Sequence, residues 1–369
     1  MRAGSFSPAG TERHCSGGSH WQQSRSLPEE DGCVPNTAVA WCTTLDPAPA
    51  IAVPNVRRRC QRQVAQFAQP TPICSIKPKK IYSKERNVQR GCGMSASFGR
   101  GLHAAPGRAV SQSAYDRYLG RWSRLTVPDL IAAAQIAQGQ RLLDVACGTG
   151  EAASAAIQTV GSAGFVVGAD LSLEMLNSAC GRLDKTSFSC VNADGQALPF
   201  SDDVFDAVVC QLGLQFFPNP AAGLSEFRRV VRTGGMVAVC VNSTSERLPM
   251  WGNLADALDR FLTAEQRNVL AMSWSLSDPR RLKTLFNDAG FLDIRVEQIR
   301  REGIIDSFDD YWAPIEDGIG QIPQAYRALS ETDRRSVCED VRARLAQYES
   351  ADGKLTMAVE MLIGSGRAR

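Results

Sequence analysis

Three carboxylates and one run of small residues carry the chemistry legible in this chain. In RLLDVACGTG, residues 141–150, Asp144 precedes Ala146, Gly148 and Gly150 at alternate positions, and Glu151 opens an Ala-rich stretch. Small residues let a turn approach a ligand closely, and a helix that starts there presents unpaired N–H groups to it. Asp170 stands 20 residues after Gly150. A carboxylate in that place offers two acceptor oxygens to the two hydroxyls of a ribose. Asp194 follows in the polar loop NADG. Groups for other chemistries are scarce. The three histidines are His14, His20 and His103, and none of the 12 cysteines forms a Cys-x-x-Cys pair. That argues against a zinc ribbon, a thioredoxin-type site and a three-cysteine iron–sulfur motif, and leaves no histidine base in the body of the chain. Buried free thiols are the plain reading of the cysteines.

The elements that must position these residues alternate strictly. A strand over 141–145 leads through the glycine turn to a helix at about 151–160, ended by Gly161 and Gly164. A second strand, 165–170, ends on Asp170, and Ser172 caps a helix with Leu173, Leu176, Cys180 and Leu183 at helical spacing. Strands over 187–194 and 205–211 follow. A helix then starts after Asn219, with Leu224, Phe227, Val230 and Val231 on one side. Gly234 and Gly235 end it before the strand MVAVCV. This alternation predicts a parallel sheet with helices on both faces. Residues 243–277 read as a helical insertion. Asp278 and Pro279 start a further helix, 291–299 is a sixth strand, 303–350 a second helical insertion, and 355–364 the final strand. Upstream, SAYDRYLGRWSRLTVPDLIAAA reads as a short aromatic helix and a second helix from about Pro128.

Composition bounds the rest. The chain has 369 residues, is 44% hydrophobic and carries a net charge of +2, so no global field points to nucleic acid or an anionic membrane. No apolar run approaches the ~18 residues of a membrane span. Residues 1–93 lack hydrophobic periodicity and hold 13 Lys and Arg against 6 Asp and Glu. Three readings stand for them: a disordered basic tail, a misassigned start with Met94 as initiator, or a transit peptide, the last opposed by Glu29, Glu30 and Asp31.

Asp170 suits two ligands, NAD and S-adenosylmethionine. GTGEAA satisfies G-x-G-x-x-A, a weak dinucleotide signal. Asp144 and Asp194, however, have no assigned role in a dinucleotide site. At this point the chain resembles the class I S-adenosylmethionine-dependent methyltransferases, most closely the ubiquinone/menaquinone C-methyltransferase-like, or type 11, group. LLDVACGTG, VVGADLSLEML, NADGQALPFSDDVFDAVVC and RRVVRTGGMVAV carry the resemblance, in order and spacing, tightly over 141–242 and loosely over 112–369. It implies a Rossmann-like three-layer α/β sandwich, its seven-stranded, mostly parallel sheet ending in an antiparallel strand, with helical cap insertions. Residues 94–140 would be a linker and N-terminal helices over the active site, 141–242 the cofactor-binding core, and 243–369 the cap with the remaining helix and strands.

Carried over by position, Asp144 would orient the turn and the amino group of S-adenosylmethionine. Ala146, Gly148 and Gly150 would shape the passage for its methionine part; Ala146 departs from the more usual glycine. Asp170 would hold the ribose, Leu171 and Met175 the adenine face, and Asp194 the adenine amino group, with Gly195 and Gln196 beside it. Gln211 would sit beside the sulfonium. Each has a plainer rival: Asp144 and Asp170 as cap or turn residues, Asp194 as an Asx-turn residue, Gln211 as a satisfied strand end, Met175 as helix core. Tyr115, Gln211 and Tyr311 are the catalytic candidates. Tyr118, Gln215, Phe216 and Trp312 are candidates for the acceptor wall, and no metal is expected.

The expected activity is transfer of the sulfonium methyl to a small, apolar or ring-bearing acceptor in the cytoplasm. Carbon, nitrogen and oxygen acceptors all stay open, as does the oligomeric state. A non-catalytic methyltransferase-like binding protein and an NAD(P)-dependent oxidoreductase are the rival classes. A small-molecule acceptor is the expected partner; neither nucleic acid nor a membrane span is.

Overall fold

The computed structural model describes residues 115–318 and 320–369, all within the unit Val53–Arg369. The expectations for the leader 1–93, and for the linker up to residue 114, lie outside the described residues. The chain enters through a π-helical turn, Asp116–Gly120, which runs on into an α-helical turn, Arg121–Ser123. Then follow α1 (Val127–Ala133), β1 (Arg141–Val145), α2 (Glu151–Val160), β2 (Phe165–Asp170), α3 (Leu173–Arg182), β3 (Phe188–Asn192), β4 (Phe205–Gln211), α4 (Pro220–Val230) and β5 (Val231–Asn242). The first cap segment holds α5 (Pro249–Asp259) and α6 (Ala264–Ala271). After α7 (Pro279–Asp288) and β6 (Leu292–Ile305) come the second cap helices, α8 (Phe308–Glu316), α9 (Gln321–Arg327) and α10 (Glu331–Leu345), and finally β7 (Leu355–Arg367).

The seven strands form one sheet in the order β3-β2-β1-β4-β5-β7-β6. Strands β1 to β5 pair in parallel, and β7 is antiparallel to both β5 and β6. Alternation along β1 divides the core. Leu142 joins the apolar cluster on one face, with α1, α2 and the cap helices; Leu143 and Val145 join the other, with α4 and α7. Phe227 and Phe286 are fully buried in the second cluster, each contributing roughly 1.5–3 kcal/mol. The predicted caps are present, Ser172 Oγ accepting from Met175 N–H and Asp278 Oδ1 from Arg280 N–H, and Asn219 Oδ1 adds a third by accepting from Ala222 N–H.

Three sequence readings need correction. Helix α4 ends at Val230 and β5 begins at Val231, so Gly234 and Gly235 lie within the strand instead of ending the helix. Strand β6 runs to Ile305, six residues beyond the expected end, because β7 pairs with it from Leu292↔Arg367 to Ile305↔Leu355. Its added residues begin with Arg300, Arg301 and Glu302, charged and exposed, as suits a protected edge strand but shows no strand-like apolar pattern. The cysteines are also not all free thiols. Packing of α3 on β3 brings Cys180 and Cys190 into a disulfide of 1.98 Å, while Cys147, Cys210 and Cys240 stay free and buried.

Candidate active site

The carboxyl ends of β1, β2 and β4 open into one cavity, and the glycine turn forms its floor. Ala146, Gly148 and Gly150 have φ of +55°, +53° and +86°. Gly150 needs its freedom twice, since a Cβ there would stand 2.8 Å from Leu183 Cδ1. Ala146 adopts the left-handed conformation despite its methyl, which is accommodated because the facing residue is Gly213. A Cβ on Gly213 would lie 2.4 Å from that of Ala146. Asp170 braces the turn from β2: Oδ2 accepts from Gly148 N–H at 2.9 Å and Oδ1 from Ser172 N–H at 2.8 Å. Arg182 braces it from α3, donating to Thr149 O at 2.9 Å and pairing with Glu151 at 2.8 Å.

Asp144 shares the sheet face of Leu142 beneath this turn and is fully buried. Neither of its carboxylate oxygens has a hydrogen-bond partner. Burial therefore raises its pKa to about 8; the nearby Ala153 backbone N–H, outside hydrogen-bond geometry, opposes that rise and the Asp170 charge adds to it.

Tyr115, Tyr118 and Leu119 of the N-terminal segment line the same cavity, with Leu171, Met175, Ala193, Gly195, Gln211, Gln215 and Phe216. Gln211 Nε2 donates to Thr126 Oγ1 and Ser123 O, and its Oε1 is left without a partner. Gln215 Oε1 accepts from Asn242 N–H at 2.8 Å, tying the loop after β4 to the end of β5.

Other sequence candidates stand elsewhere. Asp194 does not line the cavity, although its neighbours Ala193 and Gly195 do. Its Oδ1 accepts from Gln196 N–H at 2.8 Å in an Asx-type turn, and Gln196 Oε1 in turn accepts from Asn219 N–H. Tyr311 and Trp312 turn into the cap. The Tyr311 hydroxyl donates to Met250 O at 2.7 Å. Trp312 stacks on Phe308 at 5.5 Å and donates to Glu316, so these groups hold α8 against α5 and α9 rather than wall the cavity. The phenols that do line it are poor bases. Desolvation pushes the pKa of Tyr118 up, and that of Tyr115 as well, helped by the Asp170 and Glu151 charges.

A model of the ubiE/COQ5 methyltransferase family matches residues 121–308, just over half of the chain. The chain belongs to the ubiE/COQ5 methyltransferase family. It is 31% identical over 173 residues to a demethylmenaquinone methyltransferase of Staphylococcus saprophyticus, covering 44% of this chain and 74% of that one. It is 30% identical over 190 residues to the Staphylococcus aureus (strain JH9) protein of the same name, covering 47% and 76%. Among solved structures, the YcgJ protein of Bacillus subtilis aligns at 17% identity and a TM-score of 0.43, over 66% of this chain and 98% of that one. Phosphoethanolamine N-methyltransferase 2 of Haemonchus contortus aligns at 19% identity and a TM-score of 0.43, over 69% and 56%.

In this methyltransferase the cap contributes residues that sequence patterning left undecided, Trp251 and Trp274 among them, or missed. Trp251, Ser273, Trp274, Gln321 and Ile322 line the cavity, as does Asn242 at the end of β5. The two tryptophans lie in the predicted insertion, yet nothing in their spacing separates a cavity wall from helix packing. Asn242 gave one usable signal: it is a polar residue at the end of an apolar central strand, where open α/β sheets hold their ligands. No helix among the described residues is long and apolar enough to cross a membrane.

Proposed function

We propose that this methyltransferase binds S-adenosylmethionine along the β1–α2 turn and passes its methyl to a small, ring-bearing apolar acceptor beneath the cap. The observation that carries the reading is Asp144: a fully buried carboxylate with two unpartnered oxygens under a left-handed glycine turn. Such a group calls for a cationic partner, and the ammonium of the methionine part supplies one. The rest of the wall fits as well. Asp170, already carrying the turn, has lone pairs left for the ribose hydroxyls. Leu171, 41% exposed, and Met175 offer an apolar face for the adenine, and Ala193 and Gly195 line the same cavity. Asp194, bonded to Gln196 N–H and absent from the cavity lining, is left out of the proposed adenine contacts.

When bound, this cofactor supplies a methyl on an electrophilic sulfonium. The chain's own part is to position and to exclude water. Gln211 Oε1 stands at the end of β4 as an acceptor fixed by the bonds its Nε2 makes, and the N-terminal aromatic segment and the cap enclose the acceptor. With no low-pKa phenol in the cavity, the acceptor brings its own nucleophilicity. The names of the relatives put a quinone-type ring first among candidates, and the cytoplasm is the proposed compartment. Calorimetry with S-adenosylhomocysteine tests the cofactor. Incubating acceptors with labelled methyl donor, demethylmenaquinol first, tests the transfer. No binding of S-adenosylhomocysteine at millimolar concentration would refute the reading.

A further inference from the structure

Outside the turn, four polar side-chain atoms lining the cavity lack partners: Gln211 Oε1, Asn242 Oδ1, Trp251 Nε1 and Gln321 Oε1. Of these four residues, Asn242 and Trp251 are the buried ones. Asn242 ends β5 and is 5% exposed. Its Nδ2 donates to Ser273 O at 3.1 Å, which orients the amide and leaves Oδ1 as the unpartnered end. Its backbone N–H is held by Gln215 Oε1 at 2.8 Å, so the residue is anchored from two sides. Trp251, on α5, is 4% exposed, and its Nε1–H has no acceptor. Both residues line the cavity beside the apolar Leu119, Phe216, Trp274 and Ile322. A buried donor or acceptor left unpaired is costly, and these two buried residues supply one of each to the same largely apolar wall. A few fixed polar groups in such a wall set the orientation and identity of a ligand. They reject an analogue that cannot pair with them far more strongly than apolar contacts reject a change of size.

We propose that Asn242 and Trp251 select the methyl acceptor: Asn242 Oδ1 accepts from an O–H or N–H of the acceptor, and Trp251 Nε1–H donates to an oxygen on it. The acceptor is then an apolar ring that carries both a hydrogen-bond donor and an oxygen acceptor. This inference rests on the methyl-transfer reading of the cavity and adds the chemistry by which the second substrate is recognised.

The test titrates the full chain, with S-adenosylhomocysteine bound, against 4-methoxy-1-naphthol and 1,4-dimethoxynaphthalene, which differ by one O–H. Wild type should bind the naphthol at least about tenfold more tightly. Asn242→Leu should bring the two Kd values within about twofold. Asn242→Asp keeps an acceptor oxygen but not the bond to Ser273, and should retain the preference; a purely structural role for Asn242 would make both variants alike. Trp251→Phe, which keeps ring packing, should weaken both ligands several-fold with the preference intact. Affinity for S-adenosylhomocysteine should stay within twofold throughout. Four results would overturn the assignment: equal binding of the two probes by wild type, a preference that survives Asn242→Leu, unchanged affinities in Trp251→Phe, or no binding of either probe. Should Asn242→Leu fail to fold, Trp251→Phe decides alone. Absence of S-adenosylhomocysteine binding would bring down the functional reading and this assignment together, whereas cofactor binding without probe preference overturns this assignment only.

Discussion

The strand-end wall of the cavity and the cap wall are held in place by different means. At the strand ends, backbone does most of the work: three alternate residues, Ala146, Gly148 and Gly150, at positive φ, a carboxylate bridging two N–H groups, and Arg182 on a turn carbonyl. In the cap, side chains do it: Tyr311 on Met250 O, Trp312 against Phe308 and Tyr326, and Arg121 on Asp310 at 2.8 Å. Backbone-built walls tolerate few residue types at each position, because conformation dictates them. Side-chain-built walls can be assembled in many ways, so the same aromatic content serves either packing or ligand contact. A ligand site is thereby divided between a part suited to one common cofactor and a part free to vary with the acceptor.

Variants can separate the two walls. The largest effect is expected from Trp312→Ala, which removes a stacked, largely buried ring from the cap. It should cost about 3–5 kcal/mol in denaturant unfolding while leaving affinity for S-adenosylhomocysteine near wild type. A parallel fall in cofactor affinity would show that the walls are one cooperative unit. Next is Asp170→Ala, which removes the proposed ribose acceptors and frees Gly148 N–H. Calorimetry should show about 2–4 kcal/mol less cofactor affinity, with cap stability little changed; unchanged affinity would remove Asp170 from the site.

A pH effect is expected from Asp144. Its folded pKa of about 8 lies above the ordinary 3.8. The ligand-free protein therefore holds a proton that the unfolded chain releases near pH 4. That stabilising contribution is complete below pH 4 and is lost as pH rises through about 8. A cationic ligand group prefers the ionised carboxylate, so cofactor affinity should rise between pH 6 and 8, by at most about tenfold per unit. Titrations across that range check it, and Asp144→Asn should flatten the profile. The smallest effect is expected from Tyr311→Phe, which removes one buried hydroxyl bond: about 1 kcal/mol in stability and no change in acceptor or cofactor affinity. A specific loss of turnover would return Tyr311 to the reacting centre.

What the chain's residues determined by themselves follows from period and backbone conformation. Strands β1, β2 and β4 and helix α2 lie where alternation and glycine punctuation put them, since a buried parallel strand and the turn after it admit few residue types. For the same reason Asp144, Gly148, Gly150 and Asp170 could be located from spacing alone. Three outcomes belonged to the tertiary structure. Strand β6 was extended through charged residues by its pairing with β7, an energy no local pattern records. Cys180 met Cys190 only because α3 packs on β3. In the cap, Trp251 and Trp274 line the cavity while Tyr311 and Trp312 pack away from it. Each of these aromatics sits in an amphipathic or irregular segment of similar composition. Which of them lines the cavity is decided by how α5, α8 and α9 dock, a long-range choice in which burial of any ring is worth much the same.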